Sequence, residues 1–80
     1  MTVTIRHVEG TPGEYVACSK SLGGKATYFA YFHDDIFGAV VLVNFVEMLR
    51  AQFGAQTVEL KLLDSTIRPK NPMLLDLLRQ

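Results

Sequence analysis

Apolar and polar positions alternate with a period of two in several short stretches, and one longer stretch repeats its apolar positions about every 3.6 residues. Residues 3–9 place Val3, Ile5 and His7 on one side and Thr4, Arg6 and Val8 on the other, with several β-branched side chains, which predicts a strand. "GTPG" at 10–13 predicts a turn, since proline fixes one φ and glycine accepts the positive φ that a reversal needs. A second strand is expected over 14–20 and a third over 25–33, separated by the glycine-bearing reversal "SLGG" at 21–24. Short strands joined by tight loops predict an antiparallel meander.

The period then changes. Asp34 or Asp35 is placed to cap a helix over 36–53, where a carboxylate accepts from the free N–H groups of the first turn; Gly54 marks its end. At about 100° per residue, Phe37, Val41, Leu42, Phe45, Val46, Met48, Leu49 and Phe53 fall in one broad stripe expected to cover the sheet. The opposite face holds Asn44, Glu47, Arg50 and Ala51, yet Ile36, Val40 and Val43 lie among them. Alternation resumes at 57–63, with Val58, Leu60 and Leu62 against Glu59 and Lys61, which predicts a half-exposed strand returning parallel to a neighbour through a right-handed crossover. The expected strand order is 3-2-1-4. "NPMLLDLLRQ" combines an Asn71 cap with Pro72 in the first turn, and predicts a short helix that must dock to persist. The fold class is therefore α+β, in β-β-β-α-β order, with a four-stranded mixed, mostly antiparallel sheet, one long helix on one face and a short C-terminal helix.

Eighty residues allow a single domain, 1–80, with a small core, and 49% apolar residues with 20% charged ones fit a globular chain. Eight basic and eight acidic residues cancel, so no net field draws the chain to nucleic acid or an anionic membrane. The single cysteine, Cys18, has no intrachain partner, which points to a reducing, cytoplasmic setting. "MTVTIRHVEG" lacks the charge-then-apolar order of a signal peptide, and the longest apolar run, 39–43, predicts no membrane-crossing helix.

Candidate chemistry is thin. His33 beside Asp34 and Asp35 could form a base with an orienting carboxylate, but helix capping accounts for the aspartates more simply. His7 is the only other histidine, and no ligand spacing of the His-x-x-x-His or Cys-x-x-Cys kind occurs. Cys18 lies mid-strand near Lys20, a setting commoner for an inert thiol than for a nucleophile. Ser19 and Ser21 lack a nucleophile-elbow context, and "SLGGK" lacks the spacing of a phosphate loop. No catalytic, cofactor or metal residue is assigned, and the chain is expected not to be an enzyme.

The aromatic run "YFAYFH" carries the sharper expectation. Tyr28, Ala30 and Phe32 share one face and Phe29, Tyr31 and His33 the other, so one aromatic row must point away from the covering helix. Tyr15, Tyr28 and Phe32, with Val40, Val43 and Glu47 of the helix, are the expected interface residues, since aromatic side chains supply large contact area at low entropic cost. The expected function is a small, homodimeric, non-enzymatic interaction module. Its partners would be a second copy and a larger protein, as for an accessory subunit or for an inhibitor of the kind mobile elements encode. The alternative is single-stranded nucleic-acid binding by sheet aromatics, with Tyr28 stacking and Arg6, Lys20 and Lys25 at the rim.

Overall fold

A computed structural model describes residues 1–20, 24–54, 58–64 and 66–79. Three strands, β1 (Thr2–His7), β2 (Glu14–Lys20) and β3 (Thr27–His33), precede a long helix, α1 (Ile36–Phe53); β4 (Glu59–Leu62) and a short helix, α2 (Pro72–Leu78), complete the chain. The α+β class and the order of elements are those the hydrophobic pattern predicts. Residues 21–23 of the second reversal and Thr57, the expected start of the fourth strand, lie outside the described residues.

The sheet order is β3-β2-β1-β4, with β1 antiparallel to β2, β2 antiparallel to β3 and β1 parallel to β4. This matches the expected 3-2-1-4 order. β1 ends at His7 rather than at Glu9, because Val8 and Thr11 already close the turn: Val8 N–H donates to Glu14 O and Thr11 N–H to Val8 O. Gly10 and Gly13 flank that turn at φ of 80° and 83°, the left-handed backbone that side chains resist.

Both helices lie on one face of the sheet. α1 packs over β3, and α2 sits against α1 and β4. Between them Val3, Ile5, Ala17, Leu42, Leu49 and Leu74 lose all contact with solvent. The face of α1 that reaches this core is narrower than the eight-residue stripe: Gly38, Ala39, Leu42, Phe45 and Leu49 are buried, whereas Phe37, Val41 and Met48 are exposed. A helix lying on a sheet touches it along a limited arc, and these three sit beyond the arc's edge.

α1 is capped by Asp35, whose Oδ1 accepts from Gly38 N–H at 2.7 Å. Asp34 has another task, since its two carboxylate oxygens accept the backbone N–H groups of Lys70 at 2.7 Å and Asn71 at 2.9 Å. The start of α2 is thereby tied to the start of α1. Asn71 caps α2 in turn, accepting from Met73 and Leu74 N–H groups.

Gly38 permits a close approach of α1 to β3. A Cβ added there would land on the carbonyl of His33, the last residue of β3. The helix can cross the end of the strand at this separation only because position 38 has no side chain.

Candidate surface for partner binding

The cross-strand register sorts the sheet residues into two faces. On the helix-covered face, Tyr15 pairs with Phe32 and Ala17 with Ala30; on the open face, Val16 pairs with Tyr31 and Cys18 with Phe29. The expected contact residues Tyr15 and Phe32 are therefore core, at 4% and 2% exposure, with ring centroids 5.6 Å apart. Burial raises the Tyr15 phenol pKa above its ordinary value, and the nearby Asp34 carboxylate adds to the shift. An interface role for these two residues is replaced by a structural one. "YFAYFH" carries rings on both rows, and the row that α1 covers is the one expected to be free.

Tyr28 is half-buried on the same covered side. Its ring meets Phe53 edge-on with centroids 5.8 Å apart, and its hydroxyl accepts from Gln52 Nε2 at 3.1 Å. It joins β3 to the last turn of α1, so it is not an open stacking platform for a base. The exposed aromatics of β3 are Phe29 at 54% and Tyr31 at 58%, the other of its two rows. They share the open face with Arg6 and Lys20. A shallow cleft of about 320 Å³ on this side is lined by Thr2, Thr4, Cys18, Ser19 and Lys20. The hydroxyls of Thr4 and Ser19 are engaged in the sheet: Thr4 donates to Cys18 O and Ser19 to Thr2 O.

The remaining expected contact residues, Val40, Val43 and Glu47, are on the outer side of α1, and all three are exposed. Val43 and Glu47 also line a groove of about 200 Å³ whose floor includes Leu42 and Leu60 and whose far wall is Leu77 of α2. Glu47 pairs with Arg50 at 3.1 Å on the surface, an exposed contact of small energetic weight.

Ile36, Phe37, Val40, Val41, Val43 and Met48 are all exposed on this one helix. By length and composition alone α1 is long and apolar enough to cross a membrane, with a mean hydropathy of 1.5, although its longest uninterrupted apolar run is five residues. An uninterrupted run stops at Asn44, whereas an average over 18 residues absorbs Asn44, Glu47 and Arg50. Here the helix packs Leu42, Phe45 and Leu49 into the core of the sheet.

His33 is exposed, while Asp34 and Asp35 are each engaged in holding helix starts. The structure therefore gives no sign of the carboxylate-oriented base considered from sequence. Among the described residues, no three His, Cys, Asp or Glu side chains are grouped to hold a metal ion. Comparison with protein-family models, curated proteins and solved structures returns no significant match.

Proposed function

We propose that the chain is a small non-enzymatic protein-interaction module that acts as a homodimer and binds a larger protein partner with the surface left free. The observation that carries this reading is the row of exposed branched and aromatic side chains on α1, from Ile36 and Phe37 through Val43 to Met48. Monomers rarely leave a contiguous apolar patch larger than a few hundred Å² in water, and such a patch most often marks an interface. A neutral chain does not oppose its own association by net repulsion. Accessory-subunit and inhibitor roles both belong to this class.

Solution mass by light scattering over a concentration series tests it. The wild type is expected to reach the mass of two chains, and Phe37→Glu, which places a charge at the most exposed ring of the row, to shift the equilibrium toward one. A wild type that stays monomeric throughout would overturn the homodimer.

A second reading rests on Phe29 and Tyr31 standing open beside Arg6 and Lys20. Exposed rings with cationic neighbours suit single-stranded nucleic acid, and each stacked base contributes about 1–3 kcal/mol. Tyr31→Ala should then weaken oligonucleotide binding on the order of 10-fold, with affinity falling as salt rises. Binding indifferent to salt and to Tyr31 would exclude it. Tyr28, held by Gln52 on the covered face, has no place in this site, and Lys25 stands just ahead of β3.

A further inference from the structure

We propose that the second copy engages through β3: two chains pair these strands antiparallel about a two-fold axis at Ala30, joining the two sheets into one of eight strands. This rests on the self-association reading above and names the surface and the register it uses.

β3 is an edge of the sheet, with no strand paired to its outer side among the described residues. The phase of its outward groups follows from the ladder. Asp34 N–H donates to Gly13 O at 3.2 Å, directly beyond the Glu14–His33 pair, so Phe32 and Ala30 turn their amides toward β2. Phe29 and Tyr31 accordingly turn theirs outward. Folded proteins protect such an edge with Lys, Pro, a bulge or a short strand. β3 has seven residues without a charge or a proline, and its pairing with β2 is unbroken by a bulge. The opposite edge is protected by these devices: β4 is only four residues long, with Glu59 and Lys61 exposed.

The sequence of β3 is self-complementary about its centre. With Ala30 on the axis, Phe29 faces Tyr31 of the second copy on the open side, while on the helix side Tyr28 and Phe32 stay packed within their own chains. Aromatic pairs directly across antiparallel strands are among the favourable cross-strand combinations. The outward amides of Phe29 and Tyr31 fall opposite one another in this register, which gives four backbone hydrogen bonds across the axis.

The helix above extends the same surface. α1 lies over β3, and Gln52 reaches Tyr28 on the flank away from α2. At about 100° per residue, Met48, Val41 and Phe37 continue that flank along the helix. Phe37 is 77% exposed, and with Phe29 and Tyr31 it leaves about 400 Å² of ring surface in water, taking about 200 Å² for each aromatic side chain. Edge pairing covers part of this surface and adds the strand backbone, Val41 and Met48 to the contact.

Two variants test the pairing. In Cys18→Ser/Ala30→Cys, the introduced thiols meet across the axis at a non-hydrogen-bonded position, where the Cα separation of about 4.5 Å suits a disulfide. Oxidised glutathione should then link the chains covalently. In Phe29→Lys/Tyr31→Lys, lysines replace exposed rings and face one another across the axis; the dimer dissociation constant in sedimentation should rise on the order of 100-fold with the circular dichroism unchanged. A dimer that survives the paired lysines, fails to cross-link at position 30 and dissociates with Val43→Glu overturns edge pairing while the homodimer stands. A wild type that is monomeric at every concentration overturns both, and leaves the edge to a strand from another protein.

Discussion

Gly38→Ala is expected to destabilise the fold by about 3 kcal/mol, the upper part of the range for forcing extra volume into a packed site. For a domain of this size that corresponds to a fall in thermal midpoint of about 15 °C. Alanine is the better helix former by about 1 kcal/mol, so an exposed glycine in α1 would gain from the exchange. The reversal of sign comes from the His33 carbonyl, which occupies the space that the new methyl group requires. A flexible side chain could swing aside, but this carbonyl belongs to the end of β3 and also accepts Asp35 N–H at 2.9 Å. Relief requires α1 to rise off the strand, which loosens Leu42 and Phe45, or the strand end to shift, which strains the bond from Asp34 N–H to Gly13 O. Calorimetry of the two proteins decides the matter. An unchanged or raised midpoint would mean that α1 has slack over β3 and that its position is not set by this contact.

Asp34→Ala is expected to cost about 3 kcal/mol and to release α2. The carboxylate accepts two backbone N–H groups that lead into α2, and hydrogen bonds to a charged acceptor are worth about 1.5–3 kcal/mol each. A helix of seven residues does not hold in water by itself, so the anchoring of α2 depends on this clasp and on Leu74 and Leu78. Amide hydrogen exchange should therefore quicken across 73–79 well before it quickens in β2. Asp34→Asn keeps one acceptor oxygen and loses the charge, and should fall between the wild type and alanine. If exchange in α2 is unchanged in Asp34→Ala, the leucines alone retain the helix.

The two substitutions differ in how far the sequence announces them. "HDDIFG" signals a helix start, and Asp35 fills the cap that either aspartate could have taken. That Asp34 reaches across 36 residues to the backbone of Lys70 is a non-local fact with no periodic trace. Gly38 in the first turn of an otherwise apolar helix reads as a small propensity defect; only the placement of β3 beneath it makes the missing side chain a requirement.

The interface residues divide in a similar way. Val40 and Val43 are apolar on a side of the helix that also carries Asn44 and Glu47, a local conflict visible in the sequence, and they are exposed in the fold. In the strands of Tyr15, Tyr28 and Phe32 both phases carry apolar side chains, so no polar row marks the wet side and nothing local distinguishes Phe29 and Tyr31 as the exposed pair.

The set of elements, their class and the way they are joined follow from local order along the chain. Period-two alternation, the change to a 3.6-residue period at Ile36, the turn glycines and the Asn71–Pro72 start are local signals, and each depends on residues within a few positions. The parallel return of β4 followed from the general preference for a helical crossover, whereas no local signal places it beside β1. Which face of β3 is dry, how narrow an arc of α1 meets the sheet, and which edge is left unprotected are set by packing between distant elements. Those outcomes depend on where α1 comes to rest, and in a strand with aromatic side chains on both faces, burial of either row removes a similar apolar area from water.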